Sequence, residues 1–216
     1  MAHNVVAEEN AERKCEWRVT VDGVVLTQNF FGAAVNATGG ALWDSSLVLW
    51  ESLQCRRWHG QHVLELGSGV GFLAVKLAIQ GAQVVATDGD ADAMHLLRDN
   101  LKRNQVASQV RTAFLPWGDD AALQAAFPST NGPPKFDHVV GADLIYNPDF
   151  HSPLVSTLRA VCSDTTVVHL SYRIRHEEKE ADFLEGLQQH FDIVSLLEVN
   201  GTSIALVELK GKPRCS

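Results

Sequence analysis

Apolar and polar residues change their spacing along this chain in a way that divides it into elements. In "EWRVTVDGVVLTQNF", apolar positions recur every second residue on either side of Asp22-Gly23. That is the pattern of two short strands joined by a tight hairpin. In "ALWDSSLVLWESLQ" the spacing lengthens: Leu49, Trp50 and Leu53 share one side of a helix that Asp44 or Ser45 can cap. From Gln61 onward, short apolar runs alternate with helical patterns. "HVLEL", "QVVATD", "QVRTAFL", "FDHVVGADLIY" and "TTVVHLSY" read as five strands. Helices lie between them, over "GFLAVKLAIQ" with Gly81 as its C-cap, "DADAMHLLRDNLKRN", "DDAALQAAF" and "SPLVSTLRAVC". "EEKEADFLEGLQQH" is one more helix, with exposed, acid-rich first turns. "FDIVSLLEV" and "TSIALVELK" then form two strands around Asn200-Gly201 with no helix between them.

Strands alternating with helices give a parallel sheet covered on both faces, and the closing hairpin sets one strand antiparallel within it. The expected fold is therefore α/β and doubly wound, in a single domain over residues 1–216. Residues 1–14 read as a frayed polar tail, 15–60 as the hairpin and first helix, and 61–210 as the core. "STNGPPK" is turn chemistry in a surface loop. A chain of 216 residues suffices for one sizeable core and is short for two.

Composition narrows the partners. The net charge of −8, from 26 acids against 18 bases, argues against a nucleic-acid backbone as partner. No apolar run approaches a membrane span, and the N-terminus lacks the apolar stretch of a signal peptide. Cys15, Cys55, Cys162 and Cys215 are scattered, which suits reduced thiols in a cytosolic or nuclear setting. The nine histidines show no metal-ligand spacing, so no metal is expected. Nothing demands an oligomer, and a monomer is expected.

The chemistry concentrates after "HVLEL", in Gly67-Ser68-Gly69-Val70-Gly71. In a doubly wound sheet this loop lies beyond the carboxyl ends of the strands, where ligands bind. A dinucleotide fingerprint needs a third glycine five residues after the first, and that position is Phe72. Glu65, just before the loop, would repel a pyrophosphate but could attract a cationic amino-acid end. NAD is therefore not expected. A tight turn with no ligand is the alternative for the glycines, and Asp88 at the end of the next strand weighs against it. G-S-G is not the G-x-S-x-G of a nucleophile elbow.

"LELGSGVG", followed by "TD" after the second strand of the core, resembles motif I and its acidic follower in the seven-strand, class I S-adenosylmethionine-dependent methyltransferases. The closing hairpin is similar to the reversed last strand of their Rossmann-like, seven-stranded, mostly parallel sheet. "GALWDSSLVLWESL", "FLPWGD", "GADLIY" and "SYRIR" further resemble segments of the family-16 protein-lysine methyltransferases, the methyltransferase-like 21 kind. The opening hairpin also resembles theirs, and the likeness covers about residues 20–210. It implies S-adenosylmethionine as methyl donor, S-adenosylhomocysteine as product and a protein presenting a lysine as acceptor. By the same resemblance, Trp43, Trp117, Gly67, Ser68 and Gly69 contact the donor, Asp88 takes the ribose hydroxyls, and Ala142 lies against the donor. Gly89 departs from the pattern, since a longer side chain often follows the strand-two acid.

Transfer to an amine is an in-line displacement at a sulfonium carbon, so the protein must align a neutral nitrogen. A free lysine has a pKa of about 10.4, and an apolar aromatic channel helps by disfavouring its ammonium form. Asp143 is read as holding the incoming amine or the donor's amino end, and Tyr146 as a channel wall and hydrogen-bond partner. The alternatives are a loop-ordering acid and a packing tyrosine. Arg173 and Arg175 read as a solvated basic turn, with ordering of the substrate mouth as the second reading. "DLIYNP" is not the Asn-Pro-Pro-Tyr of nucleobase or glutamine methylation. The competing functions are transfer to an arginine, a histidine or a small molecule on the same fold, and a scaffold without chemistry.

Overall fold

The computed structural model describes residues 5–9, 16–29, 38–128 and 136–212. A three-stranded antiparallel sheet comes first, with β1 (Val5–Glu9), β2 (Glu16–Val21) and β3 (Val24–Asn29) in that order. β2 and β3 form the expected hairpin. Val21 pairs with Val24, and Asp22 and Gly23 both turn through positive φ, at 48° and 82°. Two such residues give a turn whose twist matches that of the strands it joins.

β1 departs from the frayed tail expected over residues 1–14. Val5 to Glu9 pair antiparallel with Val21 to Trp17 of β2. Its backbone groups find partners along an available strand edge, an interaction that needs no alternating side-chain pattern to announce it. Residues 1–4, 10–15 and 129–135 lie outside the described residues, and with them the "STNGPPK" loop.

The remaining elements alternate. They are α1 (Asp44–Leu53), β4 (His62–Leu66), α2 (Phe72–Ile79), β5 (Gln83–Asp88), α3 (Ala91–Arg103), β6 (Val110–Phe114) and α4 (Asp120–Ala126). Then come β7 (His138–Ala142), α5 (His151–Val161), β8 (Val167–Arg173), α6 (Glu177–Gln188), β9 (Phe191–Glu198) and β10 (Ile204–Gly211). The seven strands from β4 onward make one sheet in the order β6-β5-β4-β7-β8-β10-β9. β4 pairs in parallel with β5 on one side and β7 on the other, so the winding reverses at its carboxyl end. That end is the switch point where doubly wound sheets bind ligands. β10 runs antiparallel to both β8 and β9, which makes it the single reversed strand.

The helices divide between the faces. Leu49 and Trp50 of α1, Leu73 and Leu77 of α2, and Leu97 and Leu101 of α3 pack in one apolar cluster with Val19, Val21, Val24 and Leu26 of the hairpin. Leu154 and Leu158 of α5, with Phe183 and Leu187 of α6, pack on the other face. α1 starts without the expected side-chain cap: Trp43 occupies the cap position and makes no capping bond, while Asp44 pairs with Arg173 at 2.8 Å.

The hairpin is docked by two carboxamides. Asn100 is fully buried on α3. Its side chain accepts from the Thr27 N–H at 2.7 Å and donates to the carbonyls of Thr27 at 3.0 Å and Val70 at 2.9 Å. Asn104, one helical turn later and on the same side, accepts from the Val25 N–H at 2.9 Å and donates to its carbonyl at 2.7 Å. The side chains of a helix thus stand in for a neighbouring strand along β3, and the Val70 bond ties the glycine loop to the same point.

Replacing Asn100 by Ala strips partners from two backbone groups of Thr27 and one of Val70, all inside the core. The expected loss is about 3 kcal/mol of unfolding free energy. Chemical denaturation should register it as a lower midpoint with an unchanged slope. A midpoint equal to that of the parent would show that the hairpin docks through its apolar side chains alone.

Candidate active site

The loop after β4 is built by glycines with positive φ. Gly67 and Gly69 have φ of 61° and 50°. A Cβ on Gly67 would lie 2.7 Å from Leu144 and 3.2 Å from Trp117, and one on Gly69 would lie 3.0 Å from the Gly39 carbonyl oxygen. Both backbone shape and close approach therefore require glycine here. Beyond the loop, α2 begins at Phe72, so an aromatic occupies the place where a dinucleotide site needs its last glycine.

Two acids meet at this loop. Asp88, at the end of β5, is 9% exposed. It accepts from the Gly69 N–H at 2.8 Å and from the Asp90 N–H at 2.9 Å, one bond to each carboxylate oxygen. Burial raises its carboxyl above the usual range, and these backbone donors partly oppose the rise. Glu65 lies inside the sheet on β4. Burial pushes its carboxyl up to about 8, against the smaller opposing pull of Ser68. Ser68 Oγ sits near enough to act on Glu65 yet completes no hydrogen bond of normal geometry. Glu65 Oε2 and Trp117 Nε1 are likewise buried with no hydrogen-bond partner.

These groups line a single cavity of about 580 Å³ at the switch point. Gly67, Ser68 and Gly69 form its floor, with Glu65 and Asp88 at their flank. Trp43 and Trp117 form apolar walls, and Ala142, Asp143 and Tyr146 bring in the end of β7. All ten residues singled out from the sequence thus line the same cavity. Gly89 lines it too, and a Cβ there would lie 3.0 Å from Pro116 Cα, a close approach that a side chain would widen by a few tenths of an ångström.

The mouth is aromatic. Trp117 and Phe150 meet edge to face at 6.1 Å between ring centroids, as do Tyr146 and Phe150 at 6.4 Å. Thr38 spans the opening: its carbonyl accepts from Trp43 Nε1 at 2.9 Å and its hydroxyl donates to the Tyr146 hydroxyl at 3.2 Å. Phe150 and the Thr38–Gly40 turn were missed by sequence reasoning. Phe150 stood in a segment legible only as a turn opening a helix, and nothing local in "TGG" marks it as part of a site.

Asp143 stands at the cavity as expected, with partners that the sequence did not show. It is 7% exposed and takes φ of 57°, with its own N–H donating to the Ser171 carbonyl at 2.7 Å. Both of its carboxylate oxygens receive the Arg175 guanidinium, each at 2.9 Å, and Oδ1 also accepts from the Arg173 N–H at 3.2 Å. It is a paired carboxylate with its orientation already set. The solvated basic turn expected at Arg173 and Arg175 is corrected. Arg175 lines the cavity and grips Asp143, which raises its own pKa, while Arg173 pairs with Asp44. Sequence spacing cannot show this pairing, because 32 residues separate its members.

The polar groups fit the donor that the sequence resemblance implies. Glu65 offers an acceptor to a cationic amine, Asp88 retains lone pairs for a ribose diol, and Trp117 offers a ring face and a donor. No group of metal-ligating side chains occurs among the described residues.

A family model described as lysine methyltransferase matches residues 27–190 of this chain. Protein N-lysine methyltransferase METTL21A of Xenopus tropicalis is 32% identical over 178 residues, covering 80% of this chain and 78% of that protein. EEF1A lysine methyltransferase 3 of Mus musculus is 31% identical over 172 residues, covering 78% of this chain and 69% of that one. Among solved structures, the predicted O-methyltransferase Atu636 of Agrobacterium tumefaciens gives a TM-score of 0.63 at 15% identity, covering 79% of this chain and 82% of that one. A TehB-like SAM-dependent methyltransferase of Corynebacterium glutamicum gives 0.56 at 16% identity, with coverage of 82% and 91%. Identities this low speak for the fold alone.

The Glu65 carboxyl carries a pH signature. Its folded value of about 8 lies above the unfolded 4.5, so its contribution to stability is complete below the lower value. That contribution is lost as pH rises through the higher one, where the buried group must ionise. Glu65→Gln removes the effect, so without ligand the variant should gain in melting temperature over the parent as pH climbs from 4.5 to about 8. Parallel melting curves for the two proteins across that range would show that Glu65 ionises without penalty.

Proposed function

The chain belongs to the lysine methyltransferase family, and from that membership we propose how its cavity performs the transfer. It is an S-adenosylmethionine-dependent methyltransferase acting on a lysine side-chain amine of a protein. S-adenosylmethionine, when bound, supplies an electrophilic methyl group on a sulfonium sulfur. The reading that assigns residues to this reaction is carried by one observation: the glycine loop, two buried acids and an aromatic mouth converge on one cavity.

In this reading the glycine loop lets the backbone approach the donor's methionine part, and Glu65 holds its ammonium group. Asp88, already fixed by the Gly69 and Asp90 N–H groups, accepts from the ribose hydroxyls with its remaining lone pairs. Trp117 would lie against the adenine and Trp43 along the donor, while Ala142 would give a small, close wall. The acceptor lysine enters between Tyr146, Phe150 and the tryptophans. Its apolar stem packs on their rings, and their low polarity disfavours the ammonium form. Held there, the neutral nitrogen would be in line with the methyl group that the bound donor would supply, and the nitrogen's proton would leave to water.

Asp143 and Tyr146 face the acceptor. With Arg175 on both oxygens, Asp143 serves as a fixed hydrogen-bond acceptor for an amine N–H. Its role is alignment. The Tyr146 hydroxyl, which accepts from Thr38, has its own proton to offer and its ring as a wall. We further read the chain as one catalytic domain acting as a monomer in the cytosol or nucleus, on a protein and not on nucleic acid. The acidic balance and the scattered thiols support this. No helix among the described residues is long and apolar enough to cross a membrane.

Incubation with labelled methyl donor and cell extract, followed by mass spectrometry, should place the label on a protein lysine. Label on arginine, histidine or a small molecule would replace this acceptor assignment. Asp88→Ala should weaken S-adenosylhomocysteine binding by roughly ten- to a hundredfold through lost charge-assisted hydrogen bonds. Calorimetry showing parental affinity in a folded variant would remove Asp88 from the donor site.

A further inference from the structure

A chain of contacts reaches Asp143 from outside the cavity. It starts at Glu180 in the first turns of α6, where four acids and one lysine stand between residues 177 and 182. Glu180 is 7% exposed. Its Oε1 accepts from the N–H groups of Arg175 and His176, both at 2.9 Å, and its Oε2 from that of His176 at 2.9 Å. α6 has His176 at its cap position with no capping side chain, and Glu180 reaches back from within the helix to the N–H groups of His176 and Arg175. The consequence reaches beyond the helix, because the backbone it fixes is the one that carries the Arg175 side chain.

From that fixed backbone the Arg175 guanidinium returns to the cavity and meets Asp143 with two bonds of 2.9 Å. A planar fork against a carboxylate sets its rotation as well as its place, which a lysine in the same position could not do. Asp143 is also held in a left-handed backbone conformation, φ 57°, that residues with a Cβ rarely adopt. A strained, buried carboxylate gripped at both oxygens is the arrangement expected where the aim of a side chain matters. The three donors it meets leave room on its oxygens for one more N–H.

We propose that Glu180 and Arg175 are positioning residues that together aim the Asp143 carboxylate at the acceptor nitrogen. Glu180 orders the loop, Arg175 transmits that order, and of these three residues only Asp143 touches the substrate. The inference rests on the reading that Asp143 faces the acceptor amine.

The test uses the full-length protein, saturating S-adenosylmethionine and the protein acceptor found by labelling, with the variants Arg175→Lys, Arg175→Gln, Glu180→Gln, Glu180→Ala and Asp143→Ala. Arg175→Gln should lower kcat by around a hundredfold, as expected for a misplaced reacting group. Arg175→Lys should fall in between, since it keeps the charge and loses the fork. Glu180→Ala should lose rate, whereas Glu180→Gln should keep most of it because its amide oxygen still accepts both N–H groups. S-adenosylhomocysteine affinity, read by calorimetry, should stay at the parental level in the Arg175 and Glu180 variants. Rates are expressed per folded molecule from circular dichroism.

Parental kcat in folded Arg175→Gln and Glu180→Ala, with Asp143→Ala inactive, overturns the relay and leaves the role of Asp143 standing. Parental kcat in Asp143→Ala as well overturns the acceptor-side reading itself. Weakened S-adenosylhomocysteine binding in the Arg175 variants, with kcat restored by raising S-adenosylmethionine further, reassigns Arg175 to the donor and also overturns the proposal. If Arg175→Gln does not fold, Arg175→Lys decides, and parental kcat there counts against the fork.

Discussion

A buried carboxamide holds this structure together at the point where its two sheets meet. Asn100 is fully buried and satisfies backbone groups of β3 and of the glycine loop at once. A polar side chain inside a core is tolerated only when its hydrogen bonds are made, and once made they fix orientation in a way apolar packing does not. Because Asn104 repeats the contact one turn along α3, the hairpin is fixed in both place and register. The Val70 bond carries that order into the loop that floors the cavity. The hairpin is thus part of the scaffold of the site, although none of its residues lines the cavity.

Within the cavity, the burial of two carboxyl groups is the governing constraint. Burial raises both carboxyl groups, and Asp88 lies close enough to add to the rise at Glu65. A site arranged this way favours a cationic ligand, which relieves the desolvation of the acids it meets. The acceptor side is arranged in the opposite manner. Asp143 is neutralised by Arg175 before any substrate arrives, so the lysine meets an oriented acceptor instead of an unpaired charge. One end of the cavity attracts charge and the other guides an uncharged nitrogen, which suits a reaction between a sulfonium and a neutral amine.

The order of elements was determined by the sequence to a large degree. Alternation around Asp22-Gly23, the strand–helix repeats from Gln61 and the closing Asn200-Gly201 turn are local signals, and local backbone preference decides them. Resemblance to a known family singled out most of the ten candidate residues, and topology explains why all but Trp43 share one edge. In a doubly wound sheet, strand ends and the loops after them share one edge, so residues in those places in the chain come together. Only the tertiary structure decided the rest. β1 exists because β2 offered an edge, Phe150 joins the mouth because the turn before α5 points it there, and Arg175 grips Asp143 across 32 residues of sequence. Asn100 reads in sequence as one polar residue of an amphipathic helix, and burial alone turns it into a staple. Local spacing records what a segment prefers, whereas these contacts depend on which groups folding leaves buried and in need of a partner.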